Sequence, residues 1–180
     1  NSEHAYGSRD PSISADGRFV AFTSSASNLV GGDSNGWDDV FLHDCQTGST
    51  ILVSITNTGQ PSNHSSWRPS LSADGHSIAF ESAANNLLGP GTAVYEGNIF
   101  VRDLLTGLTT RVDVPSNGDQ TYQNKNSFYS RISADGRFVA FRSEKINLVA
   151  DDTNGLPDIF VHDRQTGETS SLGLRVVEHA

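Results

Sequence analysis

The chain contains no methionine and a single cysteine, Cys45, and its charges lean one way, with 12 Lys+Arg against 21 Asp+Glu. One cysteine cannot close an internal disulfide, so no disulfide framework exists, and there is no cysteine pair to hold zinc. A net charge of −9 and a pI near 4.9 argue against a nucleic-acid backbone or an anionic membrane surface as partner, since neither gains from an acidic face. No apolar run approaches the roughly 18 residues of a membrane-spanning helix, so membrane insertion is not expected. No stretch of about twelve residues shows the 3.6-residue apolar period, and helix is expected to be nearly absent. Short enzyme signatures are missing too: no Gly-x-Ser-x-Gly elbow, no His-Glu-x-x-His pair and no phosphate-cradling Gly-Lys-Ser/Thr loop. With Asn1 at its start and no Met, the chain reads as a processed or excised product.

What is present is repetition. Ser-Ala-Asp-Gly occurs at 14–17, 72–75 and 133–136. The first and third copies align without gaps, and 25 of 38 positions are identical between Ile13–Thr50 and Ile132–Thr169. The middle copy keeps the frame, with Ile78-Ala79-Phe80, Asn98 to Asp103 and Thr106-Gly107, but its loop diverges. The repeats are expected to span approximately 9–67, 68–127 and 128–180, within a single domain.

Each repeat reads as four strands. In the first, Pro11–Ala15 runs into Asp16-Gly17, which suits a two-residue hairpin turn. Arg18–Ser24 follows, rich in residues that fit a pleated, half-buried surface. Asp39–Asp44 comes after a long polar loop, and a Thr47-Gly48 turn leads to Ser49–Thr56. The expected fold is therefore all-β, with three four-stranded antiparallel repeats that are blades of a β-propeller.

The run Pro-Ser-Ile-Ser-Ala-Asp-Gly-Arg-Phe-Val-Ala-Phe, with Asp-Val-Phe-Leu-His-Asp and Thr-Gly, resembles the TolB-like, WD-repeat-like propeller repeats of bacterial envelope and secreted proteins. The resemblance covers nearly the whole chain. It implies a propeller whose usual blade number is six, so three blades make half a ring, and it implies a secreted or periplasmic location. Three blades leave two sheet edges open. A homodimer would complete the ring, and further blades from a longer chain would do so equally well.

The surplus length lies in loops. Tight turns join strands one to two and three to four, so both lie on one edge of the disc. The long connections 25–38 and 57–68 lie on the other, and binding is expected there. In the first loop Asp33, Asn35 and Asp39 flank Gly36, and Asp152, Asn154 and Asp158 repeat the set. Alternating oxygens around a glycine suit calcium, or they serve the turn itself by accepting backbone hydrogen bonds. Asn63, His64 and Trp67 occupy one inter-blade connection, Tyr122, Asn124 and Tyr129 the next, and Tyr95 the middle repeat's loop. Aromatic faces beside amides suit a sugar ring or a peptide; alternatively Trp67 and Phe128 wedge between blades. His43 and His162 are expected to hydrogen-bond across strands rather than to act as acids or bases. Together these features point to a non-enzymatic module binding a protein or glycan through its loop face. A loop-built hydrolase or lyase, or a structural segment of a larger surface protein, are the alternatives.

Overall fold

The computed structural model describes residues 7–89, 97–116, 125–150, 152 and 155–172. The first sheet comprises β1 (Arg9–Ile13), β2 (Phe19–Ser24), β3 (Asp39–Asp44) and β4 (Ser49–Leu52). The second has β5 (Ser66–Leu71), β6 (Ser77–Ser82), β7 (Asn98–Asp103) and β8 (Leu108–Arg111). The third has β9 (Ser127–Ile132), β10 (Phe138–Ser143), β11 (Asp158–Asp163) and β12 (Thr169–Ser171). Each sheet is antiparallel with its strands in sequence order, as a propeller blade requires. The second and third blades begin at Ser66 and Ser127, one or two residues ahead of the expected repeat boundaries.

Turn chemistry sets the first hairpin of every blade. Ser14 Oγ donates to Asp16 Oδ1 at 2.6 Å, and the Arg18 amide donates to the same oxygen at 3.0 Å. Gly17 takes φ +74°, a left-handed conformation that a side chain would strain. The same serine–aspartate pair recurs at Ser72–Asp74 and Ser133–Asp135. These bonds favour the carboxylate and hold Asp16, Asp74 and Asp135 below the usual range. In the first and third blades, arginine braces the end of the third strand. Arg18 reaches Asp44 through two bonds of 3.0 and 2.7 Å, and Arg137 reaches Asp163 likewise.

Alternation of side chains gives each blade two faces. In the first blade Ala21, Val40, Leu42 and Val53 form the leading face. It packs on Ile78, Phe80 and Phe100, on the trailing face of the second. The second blade's leading face, with Ala79, Ile99, Val101 and Val112, packs in the same way on Val139, Phe141 and Phe160 of the third. A stacked phenylalanine pair sits on each trailing face: Phe22–Phe41, Phe80–Phe100 and Phe141–Phe160, with centroids 5.8–5.9 Å apart. Each such ring buried at a junction contributes about 2–3 kcal/mol of apolar transfer.

Two expected boundaries shift. β1 starts and ends two residues early because a bulge at Asp10 (φ +54°) re-aims the strand. β4 ends at Leu52 rather than Thr56, since the chain then folds into a small hairpin closed by an Ile55–Pro61 bridge. That hairpin docks on the second blade: Thr109 donates its amide to Asn57 Oδ1 (2.6 Å) and its hydroxyl to the Ile55 carbonyl (2.9 Å). Val114 and Ser116 dock on Thr169 in the equivalent way.

Candidate functional site: the long-loop face

Connections 25–38 and 53–65 meet on the face opposite the tight turns. Asp39, the first residue of β3, is fully buried there. Its Oδ1 accepts from Ser54 Oγ (2.6 Å) and Ser62 Oγ (2.8 Å), and its Oδ2 accepts from Asn35 Nδ2 (2.6 Å). Asn35 also donates to the Ser62 carbonyl and accepts from the Trp37 amide at 2.8 Å. Burial pushes the Asp39 carboxyl up, and the bonds from Ser54, Asn35 and Ser62 offset this only in part. Burial also pushes Asp33 up. At this loop Asn35 Oδ1 accepts a backbone amide within the turn, whereas both Asp39 oxygens accept from side chains. In the third repeat Asp152 and Asp158 are half-buried, and Asn154 lies outside the described residues. No group of three or more His, Cys, Asp or Glu is placed to share a metal ion among the described residues.

The candidate binding residues separate into two places. Asn63 and His64 lie on the loop face. His64 stacks on Trp37 with ring centroids 4.2 Å apart and planes 18° from parallel, and Trp37 is 42% exposed. Beside this stack Asn63 donates its amide NH to Asn86 Oδ1 and its Nδ2 to Asn85 Oδ1, and accepts from the Asn85 amide. The amides tie the first inter-blade connection to the loop after β6, so the aromatic pair stands on a braced base.

Trp67 and Tyr129 lie instead on the innermost strands. Trp67 Nε1 donates at 2.8 Å to Glu81, a fully buried carboxylate. Glu81 also accepts from Arg68 (3.0 Å) and from the Tyr129 amide (2.7 Å), and the Arg68 guanidinium lies 5.0 Å from the Tyr129 ring centroid. Three donors satisfy a carboxylate that would be costly to bury alone. Trp67 thus braces its own blade through Glu81, which in turn reaches the third blade, while Tyr129, 57% exposed, projects outward. Tyr95, Tyr122 and Asn124 lie outside the described residues. His43 and His162 bond Thr50 and Thr169 across their sheets, as expected.

Sequence reasoning named Trp67 as a candidate binding residue and passed over the exposed Trp37. The available signal was that Trp37 replaces the Leu156 of an otherwise near-identical loop, an aromatic in a polar turn with no core to fill. Glu81 was also overlooked, because its counterparts Thr23 and Arg142 share neither its charge nor its length.

Among solved structures the chain is similar to TolB from Acinetobacter baumannii, with 22% identity and a TM-score of 0.52, covering 93% of this chain and 32% of that one. The fold is that of a TolB-like β-propeller. The β-propeller domain of the Trilobed protease from Pyrococcus furiosus is similar as well, with 16% identity, a TM-score of 0.55 and 94% and 43% of the two chains covered. So is an acylaminoacyl peptidase from Pyrococcus horikoshii, at 17% identity and TM-score 0.53, covering 94% and 25%. The chain thus spans less than half the length of each of these similar structures. No protein-family model and no curated protein matches it.

Proposed function

We propose that this TolB-like half-propeller is a non-enzymatic recognition module that presents its long-loop face to a protein or glycan in the bacterial envelope or outside the cell. The observation that carries this reading is the exposed Trp37–His64 stack, braced by the Asn63–Asn85–Asn86 amides. A flat aromatic pair held in place binds at little entropic cost, and neighbouring amides supply directional bonds to hydroxyls or peptide groups. Loops on a rigid scaffold are where such sites are usually built. The similar structures include both TolB and peptidases, so fold alone does not choose between binding and catalysis.

The test is a glycan array run beside a pull-down from envelope extract, with wild type and Trp37→Ala compared. Retention of a defined ligand without turnover, weakened about tenfold or more by Trp37→Ala, is the expected result. Release of a cleaved product, or retention indifferent to Trp37, would overturn the reading.

A further inference from the structure

The two existing junctions follow one rule, and the two outer faces of the chain are the unmatched halves of the same rule. The trailing face of the first blade leaves Val20, Phe22 and Leu52 half-buried, whereas Ile78, Phe80, Val139 and Phe141 in matching places are at most 1% exposed. The leading face of the third blade leaves Phe138, Ile159 and Leu172 at 38%, 45% and 62% exposure, whereas Ala79, Ile99 and Val101 in the second are at 0%. A recess of about 300 Å³ opens on that third-blade face, lined in part by Phe138, Val161, Asp163 and Ser170. Among the described residues, one apolar face lacks a leading neighbour and the other lacks a trailing one.

The polar contacts are directional in the same sense. The Ala15 amide donates to the Ala73 carbonyl, and the Ala73 amide donates to the Ala134 carbonyl, both at 2.9 Å. Among the described residues nothing receives the Ala134 amide and nothing donates to the Ala15 carbonyl. Phe19 fills the space where a Cβ on Gly75 would stand, and Ser77 fills the space at Gly136. The equivalent position at Gly17 is open, and Phe138 is the equivalent ring.

One charged position differs between junctions in a complementary way. At the first two junctions Thr23 Oγ1 and Glu81 Oε1 accept the amides of Arg68 and Tyr129, the left-handed bulge residues of the next blade. On the third blade that position is Arg142, which cannot accept. The bulge residue of the first blade is Asp10, whose side chain can receive a guanidinium. Arg131 stands where Ser12 and Ser70 receive the amides of Leu71 and Ile132, so that one bond is not repeated.

We propose that two copies of this chain close reciprocally, the leading face of each third blade seating the trailing face of the partner's first blade, with Arg142 of one copy paired to Asp10 of the other. Both interfaces of the resulting six-bladed ring are equivalent, so the assembly closes at two chains and exposes no further edge. This inference goes beyond the proposed function and stands whatever the loop face binds.

The test is sedimentation equilibrium of the 19.3 kDa chain across the micromolar range, with three variants. Wild type should give twice the chain mass. Arg142→Asp and Asp10→Arg should each weaken the dimer about tenfold or more, since like charges are then buried opposite one another. Arg is tolerated at the bulge, because Arg68 already adopts that conformation. An equimolar mixture of the two single variants, or the double variant alone, should restore the wild-type mass, and this rescue excludes misfolding as the cause. A monomer throughout the range, open-ended larger assemblies, or variants that associate like wild type would overturn the proposal.

Discussion

The first and second blade junctions use the same backbone and opposite chemistry. At the first, the carboxylate is Asp39 on β3, and neutral donors surround it: Ser54, Ser62 and Asn35. At the second, the matching position is Asn98, and the carboxylate has moved to Asp113, where the first junction has Ser54. Lys145 Nζ donates to both Asp113 and Asn98, and Arg111 Nε donates to Asp113 at 2.8 Å. All three charged residues are nearly or fully buried. A serine pair recurs at both junctions unchanged, Ser66–Ser82 and Ser127–Ser143, each at 2.9 Å. The fold thus needs one anion in this pocket and accepts it from either side, provided donors arrive with it. What differs is fragility: removing a hydroxyl donor removes no charge, whereas removing the lysine leaves a buried carboxylate without one of its two cations.

The largest expected effect tests that fragility. Lys145→Ala should cost about 3–5 kcal/mol in urea unfolding, the usual loss when one partner of a buried ion pair is removed. Adding Arg111→Leu, Asp113→Ser and Asn98→Asp, the residues of the first junction, should recover most of that loss. If Lys145→Ala costs less than about 1 kcal/mol, the two junctions are energetically alike and the contrast fails.

At the first junction the expected loss is smaller. Ser54→Ala removes one of three donors to Asp39 and should cost about 1–3 kcal/mol, again read from the urea midpoint. A cost equal to that of Lys145→Ala would mean that neutral and charged donors are equally essential.

The smallest effect is in the pH dependence, and its sign separates the two sites. Burial raises the Asp39 carboxyl above its unfolded value, so its contribution favours the folded state below the unfolded pKa and is lost as pH rises through the folded one. Burial also pushes Asp113 up, but Lys145 and Arg111 outweigh it and hold the carboxyl low. Its contribution is present above the unfolded pKa and lost as pH falls through the folded one. Between pH 7 and pH 3 the stability difference between wild type and Asp39→Asn should therefore grow on acidification, while that between wild type and Asp113→Asn should shrink. Parallel slopes would remove the distinction.

Much of the fold was legible because its signals are local. Asp16 with Ser14, and Gly17 beyond them, specify a turn within five residues, and β3 lies at Asp39–Asp44, where its repeated apolar run stands between the long polar loop and the Thr-Gly turn. The error at β4 arose because Val53 to Thr56 continues to look like strand. Whether such a segment extends a sheet or folds onto a neighbour depends on Thr109, more than fifty residues away. The candidate site was legible as a region and not as a set of residues. Asn63 and His64 do reach the loop face beside an aromatic ring, but that ring is Trp37. Trp67 turns inward because Glu81 waits across the strand pair.

By itself, then, the sequence determined the number of blades, the order of strands and the side of the disc on which the long loops emerge. Each follows from repeat identity, period-two alternation and turn chemistry, all of which act over a few residues. Tertiary structure decided which polar groups became interior. Glu81, Asp39, Asp113 and Lys145 sit in segments that read as ordinary polar strand or loop. Their burial appears only when loops and neighbouring blades cover them and bring hydroxyls, amides and cations within about 3 Å. A carboxylate's cost or benefit is set by those neighbours, and distant ones such as Lys145 for Asp113 and Tyr129 for Glu81 leave no mark in the local pattern.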